Sequence, residues 1–113
     1  MRIFALSDIH VDQAENLAWL AQLSRDDYRQ DVLLLAGDVS HHPTRFADAL
    51  SMLRQRFAQL FFVPGNHDLW LMRQEAGDSL TKFHHLLALC EKLGVQTRPR
   101  TLDLPGRTVT IMP

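Results

Sequence analysis

Three short polar clusters hold the side chains of this sequence that are best suited to chemistry. The clusters are Asp8-Ile9-His10, Gly37-Asp38 and Gly65-Asn66-His67-Asp68, each directly after an apolar run. Together they offer carboxylate, imidazole and amide groups. This mixture of nitrogen and oxygen ligands suits Mn, Fe, Zn or Ni better than Ca or Mg, which prefer all-oxygen sites. The sequence therefore predicts a site for a divalent Mn, Fe, Zn or Ni ion.

The individual ligands suit different tasks at such a site. Asp8 and His10 are two residues apart, so on an extended chain both side chains can approach one cation. The carboxylate of Asp38 has two oxygens and can bridge a pair of metals. Asn66 offers a neutral amide oxygen.

His67 and Asp68 follow these ligands and need not bind metal themselves. A histidine at the edge of a site can protonate a leaving alkoxide, and a neighbouring carboxylate can orient its ring. Two metals about 3.5–4 Å apart stabilise the attacking and leaving oxygens of a displacement at phosphorus. Metal-assisted phosphoester hydrolysis is therefore the predicted class of reaction.

The apolar runs before the clusters predict three strands, at about residues 2–7, 31–36 and 60–63. Helices are predicted between them, near 13–25 and 43–58. This alternation is typical of an α/β fold with a parallel central sheet and flanking helices. Ligands of such sheets bind at the carboxyl ends of the strands, so the three clusters should meet at one edge.

The rest of the chain predicts a third helix, capped by Asp78 or Ser79 and ended by Gly94, and a hairpin around Pro105-Gly106. The run at 31–36 is apolar throughout, so it is predicted to be a central strand covered on both faces. Cys90 is expected to be a small buried hydrophobe, and Trp19 to pack with its helix.

Composition narrows the classes of protein to consider. The chain has 113 residues, 12 Lys+Arg against 13 Asp+Glu, and one cysteine. One domain is expected at this length. The near-neutral charge makes nucleic-acid binding unlikely. No apolar run approaches the roughly 20 residues that span a membrane, and one cysteine fits a reducing compartment, so a cytoplasmic protein is expected.

In this order, after successive strands, the three clusters resemble the motifs of the calcineurin-like metallophosphoesterases. The spacing is 30 residues from Asp8 to Asp38 and 28 from Asp38 to Asn66. The resemblance implies two divalent ions, with Mn preferred. Asp8 and His10 would bind the first ion, Asp38 would bridge, and Asn66 would bind the second.

The same resemblance implies an activity and an architecture. His67 would be the leaving-group acid, held by Asp68, and the substrate a phosphomonoester or phosphodiester. The family fold is an αββα sandwich, of which residues 1–113 would supply the N-terminal portion as a single incomplete domain. The sheet face meant for the second sheet would be bare and would need a partner.

The sequence departs from the family in its later histidines. The family completes its metal shells with a single histidine and a Gly-His-x-His motif, and neither is present. His84 and His85 are the only histidines after His67. They lie in the predicted third helix, where adjacent residues point about 100° apart, so they are poor substitutes. One is expected at the edge of the core and the other at the surface.

Two hypotheses of different classes follow. The first is a metal-dependent phosphoesterase, inactive or weakly active as these 113 residues. The alternative is a catalytically incomplete fragment that binds one metal or none and self-associates or packs against a partner chain. A nuclease is disfavoured by the charge. The sequence does not identify the substrate.

Four residues beside the clusters have open roles. His41 and His42 are expected in a solvated turn before Pro43, with substrate or metal contact as the less favoured reading of the sequence. Trp70 could equally line a substrate pocket beside His67 or pack in the interior. Contact of Arg45 with a substrate phosphate is the less favoured alternative to an ordinary surface arginine.

Overall fold

The computed structural model describes residues 1–113 and contains five strands, three α-helices and one short 3₁₀ helix. The strands are β1 (Ile3–Leu6), β2 (Val32–Ala36), β3 (Gln59–Val63), β4 (Arg100–Leu104) and β5 (Arg107–Ile111). The α-helices are α1 (Ala14–Ala21), α2 (Pro43–Arg56) and α3 (Ser79–Leu93), and the 3₁₀ helix is His67–Leu69.

The first three strands form a parallel sheet in the order β1-β2-β3. Leu6 pairs with Leu35 at one end of the β1–β2 ladder, and Ala36 pairs with Val63 at the same end of the β2–β3 ladder. The carboxyl ends of the three strands are therefore level. The predicted α/β fold with a parallel central sheet is confirmed, and β2 is its central strand.

One face of the sheet packs against all three helices. Leu35 and Phe62 point into this core, where they meet Leu20 of α1, Phe46 of α2 and Leu86 of α3. Fully burying one such side chain contributes about 1.5–3 kcal/mol. Because the inward faces of the three helices meet here, this core fixes the strands whose ends carry the polar clusters.

The opposite face is only partly covered. The antiparallel hairpin of β4 and β5 brings Leu102 against Val32 and Phe61 in a second, smaller core. Beyond the hairpin the face is open, with Val63 42% exposed and Met112 77% exposed. An apolar patch is therefore present on this face, although the hairpin covers part of it.

The helix ends agree with the chemistry of their caps. Pro43 occupies the first turn of α2. Asp78 accepts hydrogen bonds from the backbone N–H (2.8 Å) and hydroxyl (2.9 Å) of Thr81, and these bonds lower the pKa of the Asp78 carboxyl. Gly94 ends α3 in the left-handed conformation, with φ of 75°. Both predicted limits of α3 are confirmed.

The first helix is shorter than predicted and ends at Ala21. The guanidinium of Arg56, only 3% exposed, donates to the carbonyls of Ala21 and Leu23 at 3.0 Å each. Ser24 then accepts the backbone N–H of Asp26 in a turn. These bonds satisfy carbonyls that a longer helix would have used, so the chain leaves α1 early.

The burial of Cys90 agrees with the prediction from the sequence, whereas Trp19 is more exposed than its predicted packing implied. Cys90 is fully buried as predicted, and burial raises the pKa of its thiol to about 12. Trp19 is 49% exposed and lies at the β1 edge of the sheet beside Leu6 and Leu23, outside the main core. In the whole chain no helix is both long enough and apolar enough to cross a membrane.

Candidate metal centre

The polar clusters meet because the loops after β1 and β2 are joined by backbone hydrogen bonds. The N–H of Asp8 donates to the carbonyl of Gly37, and the N–H of His10 donates to that of Asp38, both at 3.1 Å. These bonds continue the strand pairing past the end of the sheet. The loops therefore run side by side with their polar side chains at one edge.

Three residues of this edge have a left-handed backbone. The φ angles are 56° for Asp8, 38° for His10 and 54° for Asp38, and these are the only non-glycine residues of the chain with positive φ. Such conformations are uncommon outside glycine and persist where surrounding structure imposes them, often at functional sites. All three residues are among the ligands predicted from the sequence.

Two glycines allow the loops to approach closely. A Cβ on Gly37, which has φ of +76°, would lie 2.5 Å from the backbone nitrogen of Gly65. A Cβ on Gly65 would lie 2.6 Å from the backbone nitrogen of Asp38 and would collide with its carboxylate. Real Cβ contacts are not this short, so a side chain at Gly37 would push the backbone of Pro64 and Gly65 away, and one at Gly65 would displace Asp38.

The ligand atoms of His10, Asp38 and His67 converge at this edge and lie within 4.8 Å of one another. The Nδ1 atoms of His10 and His67 are 3.5 Å apart, and Nδ1 of His67 is 3.9 Å from a carboxylate oxygen of Asp38. Asp8 adjoins this group, with its carboxylate 3.6 Å from Nε2 of His10. The structure thus brings together both imidazoles and two of the three carboxylates of the predicted site.

Asn66 lies next to this group at the start of the 3₁₀ helix. Its side chain is exposed and does not cap the helix, so its amide oxygen is free to bind a ligand. His67, which follows, is fixed through its backbone: its N–H donates to the Asp38 carboxylate at 3.0 Å. The two residues therefore keep their positions relative to Asp38.

These residues fit a divalent metal ion. The converging atoms are imidazole nitrogens and carboxylate oxygens, which is the donor chemistry of Mn, Fe, Zn and Ni sites. The side chains are half-buried, so an ion could reach them from solvent. The two glycines remove the atoms that would otherwise push the ligands apart.

Asp68 differs from its predicted role because its carboxylate is fully buried and turned towards backbone. It accepts four backbone N–H groups, at 2.8–3.0 Å, from the loops after β2 and β3. The donors are Gly65, Asp38, Val39 and Ser40. The carboxylate thus holds the two loops together.

The hydrogen bond from the His67 ring to Asp68, which the family resemblance implies, is not formed. The two residues are consecutive in a 3₁₀ helix, where neighbouring side chains point about 120° apart. His67 points outward into the metal centre, and Asp68 points inward. The ring of His67 instead contacts the indole of Trp70, with 3.9 Å between ring centroids. Trp70 therefore lines the site, which is one of the two alternatives open from the sequence.

A second group of polar side chains borders the centre on the side of α2. The carboxylate of Asp12 accepts a hydrogen bond from the hydroxyl of Ser40 and lies 3.3 Å from Nδ1 of His41. The Arg45 guanidinium donates to the carbonyls of Val11 and Asp12. His41 is therefore held by a partner rather than lying in a simple solvated turn, and Arg45 is engaged with the backbone.

The later histidines stand apart from the centre. Both His84 and His85 are exposed on α3, so neither is at the edge of the core as expected for one of them. Neither belongs to the converging group of His10, Asp38 and His67. They are as poorly suited to complete a metal shell as the sequence indicated.

Lys82 is a residue of this region whose role the sequence patterns do not predict. It is 4% exposed, and its ammonium contacts backbone carbonyls of two loops beside the centre. Its partners are 41 and 12 residues away in the sequence, so no local pattern marks them. The only signal was its place on the inward face of α3 between apolar positions.

Comparison with known proteins agrees with this geometry. The sequence profile described as calcineurin-like phosphoesterase matches residues 1–109. The chain belongs to this family of metal-dependent hydrolases, whose members act on phosphoester substrates. The resemblance drawn from the three clusters is therefore confirmed.

Individual relatives are matched over part of their length. The chain is 31% identical over 116 aligned residues to the acyl-carrier-protein phosphodiesterase PptH of Mycobacterium tuberculosis, covering 98% of this chain and 36% of that protein. It is 38% identical over 82 residues to the symmetrical bis(5'-nucleosyl)-tetraphosphatase of Yersinia pestis, covering 73% of this chain and 28% of that protein. The chain thus spans about a third of the length of these relatives.

The fold has a counterpart of known structure. The crystal structure of the phosphopantetheinyl hydrolase PptH from Mycobacterium tuberculosis superposes with a TM-score of 0.86 at 29% identity. The superposition covers 98% of this chain and 41% of that one. The sheet, helices and hairpin described above are therefore those of a metallophosphoesterase fold.

Proposed function

We propose that these residues supply one side of a dinuclear metal centre that hydrolyses phosphoesters. The observation that carries the proposal is the convergence of His10, Asp38 and His67 at the strand ends. Asp8 and His10 would hold one ion, Asp38 would bridge, and Asn66 would hold the other. Mn is the proposed metal, given the mixed nitrogen and oxygen ligands.

The bound ions would supply Lewis-acid stabilisation of the charge that develops on the phosphoryl group. His67 would give a proton to the leaving oxygen, because its imidazole is half-buried at the edge of the ligand group. The hydrogen bond from the His67 backbone N–H to Asp38 fixes the position of the backbone that carries the imidazole. Asp68 would act through the loops that it joins, as a positioning residue.

A phosphodiester is the substrate class that we favour. The two relatives are named for cleaving a phosphodiester of acyl-carrier-protein and a bis-nucleosyl tetraphosphate. The phosphorus of a phosphodiester carries an ester group on each of two sides, and each inner phosphorus of a tetraphosphate is joined on two sides by anhydride bonds, whereas a monoester carries one group. We therefore expect this centre to prefer a diester to a monoester. We also propose a cytoplasmic location, on the ground of the single cysteine, Cys90.

The test is hydrolysis of bis-para-nitrophenyl phosphate by the purified chain with Mn²⁺, beside para-nitrophenyl phosphate. His67→Gln should lower turnover by about a hundredfold or more, the usual contribution of a general acid. Asp38→Asn should abolish it. His84→Gln, an exposed histidine outside the centre, is the matched control and should leave turnover unchanged. Unchanged turnover in both site variants would refute the assigned roles.

The second candidate is a catalytically incomplete fragment that binds a partner chain or a second copy. Two observations favour it: the chain spans 36% of the phosphodiesterase relative, and apolar residues such as Val63 are exposed on the sheet. Metal analysis and light scattering separate the candidates. Fewer than two ions per chain together with a mass above 13.0 kDa would support the fragment. Two firmly bound ions on a monomer would contradict it.

A further inference from the structure

Lys82 is a buried cation of α3 whose partners lie in the two loops beside the metal centre. Its ammonium donates to the backbone carbonyl of Trp70, to that of His41 at 2.7 Å, and to the carboxylate of Glu75 at 3.0 Å. Lysine is almost never fully buried unless it is paired. These three acceptors match the three N–H donors of an ammonium group, so Lys82 is satisfied in spite of its burial.

Glu75 keeps this buried charge neutral. Its carboxylate also accepts the backbone N–H of Met72 at 2.9 Å. Burial alone would raise the pKa of Glu75, but the Met72 N–H and the Lys82 ammonium outweigh it, and the pKa lies below its ordinary value. Glu75 is therefore ionised at neutral pH and ties the segment after Trp70 to the same lysine.

The two carbonyls that Lys82 holds belong to residues whose rings border the centre. Trp70 is 51% exposed, yet its indole lies 3.9 Å from the imidazole of His67. The centroid of the His41 ring is 6.2 Å from that of the indole. A half-exposed indole has few packing contacts to keep it in one orientation, so its position depends on how the backbone beneath it is held.

We propose that Lys82 is a positioning residue that sets Trp70 against His67 and thereby fixes the orientation of the His67 imidazole. One ammonium joins the loop after β2 to the loop after the 3₁₀ helix, so both walls of the site move if it is lost. The proposal rests on the role of His67 under the proposed function. A lysine with a purely structural role would add stability without altering the contact between Trp70 and His67.

The test compares the only two lysines of the chain, both on α3. Lys82→Met removes the buried ammonium, and Lys92→Met removes an exposed one. Both are made with Trp19→Phe, so that Trp70 is the one remaining tryptophan. The readouts are the nuclear Overhauser contact between the Trp70 indole and the His67 ring, and quenching of Trp70 fluorescence by Co²⁺.

Lys82→Met should lose the Overhauser contact and most of the Co²⁺ quenching, while Lys92→Met keeps both. A folded Lys82→Met protein that keeps both would overturn the proposal, whatever its stability. If this variant does not fold, Lys82→Met combined with Glu75→Gln removes the partly buried carboxylate that the first change leaves unpaired, and the same two outcomes apply.

The experiments distinguish failure of the proposed positioning role of Lys82 from failure of the proposed function. The Overhauser contact is measured without metal or turnover, so it reports on Lys82 alone. If His67→Gln leaves hydrolysis unchanged while Lys82→Met loses the contact, the role of His67 is wrong and the positioning role of Lys82 stands. If His67→Gln abolishes hydrolysis and Lys82→Met keeps the contact, the positioning role is wrong.

Discussion

Asp68 illustrates how one side chain can organise a site without facing it. Its carboxylate satisfies four backbone N–H groups from two loops that approach each other closely. The Asp68 carboxylate is fully buried, so these N–H groups lose their acceptor if it is replaced. The candidate metal centre thus lies on loops that a buried carboxylate holds together.

We expect Asp68→Asn to destabilise the chain by about 3 kcal/mol, because an amide N–H₂ would face backbone donors where a carboxylate accepted them. Urea unfolding followed by circular dichroism measures the change. Asp103→Asn, an exposed aspartate of β4, is the control and should shift stability by no more than about 0.5 kcal/mol. Equal stabilities of the two variants would contradict the role given to Asp68.

Gly65 allows a test of whether the close approach of the two loops is needed for metal binding. Gly65→Ala places a methyl group against Asp38, so we expect Mn²⁺ affinity to fall by about tenfold or more. Gly106→Ala in the hairpin is the control for a strained glycine substitution, because φ there is +77° but a Cβ meets no atom within 4 Å and so touches no proposed ligand. Isothermal titration of both variants makes the comparison. Wild-type affinity in Gly65→Ala would show that the close approach of the loops is not needed.

Some residues of the site can be predicted from the neighbouring sequence, whereas others depend on contacts with distant parts of the chain. Asp8, His10 and Asp38 could be identified from the sequence because each directly follows an apolar strand. The direction of Asp68 could not, because it depends on the turn that the backbone takes after Gly65. Lys82 could not either, since its acceptors are carbonyls, which every residue possesses.

At the scale of elements, the strands and helices were predictable because their apolar periods are strong. The hairpin and the limits of α3 followed from turn and cap residues. The early end of α1 could not be predicted, because it depends on Arg56, which reaches back from α2. Long-range hydrogen bonds of this kind leave no trace in a local pattern.

The beginnings of β1 and β2 are joined by an ion pair that makes stability depend on pH. The carboxylate of Asp31 accepts bonds from the Arg2 side chain, with distances of 2.6 and 3.0 Å, and from the Arg2 backbone N–H at 2.8 Å. The Arg2 side chain lowers the pKa of Asp31 most, followed by its backbone N–H. A lowered carboxyl pKa stabilises the fold above the ordinary value of about 3.9.

We therefore expect this contribution to disappear as the pH falls below about 4 and through the lowered pKa of Asp31. In Asp31→Asn the urea midpoint should be lower at neutral pH and should fall less between neutral and acidic pH than in the wild type. Asp26→Asn, an exposed aspartate nearby, is the control. If the urea midpoint of Asp31→Asn fell with pH as that of the wild type does, the Arg2–Asp31 pair would not be a source of the acid dependence.

At the scale of the whole molecule, the sheet has one well-packed face and one partly open face. The helices cover the first, whereas on the second Leu102 of the hairpin packs against Val32 and Phe61 in a core of three buried residues. The sequence predicted a bare face from the resemblance to a two-sheet sandwich. It did not show how far the hairpin would fold back over it, because that depends on the tertiary packing of Leu102 and Ile111.

The open face should bind an apolar dye such as anilinonaphthalene sulfonate in the native state. Val63 is 42% exposed there, so Val63→Lys should lower dye fluorescence by dividing the apolar surface. Leu80→Lys is the control, since Leu80 is 64% exposed on α3, away from this face. Equal dye fluorescence in the two variants would show that the open face is not the binding surface.

The central claim is that the strand-end clusters form one metal centre organised around Asp38. Calorimetric titration of the chain with Mn²⁺ tests it most directly, comparing the wild type with Asp38→Asn and with the exposed control Asp103→Asn. We predict that Asp38→Asn weakens binding by more than about tenfold while Asp103→Asn binds as the wild type does. Equal affinity in all three proteins would contradict the claim.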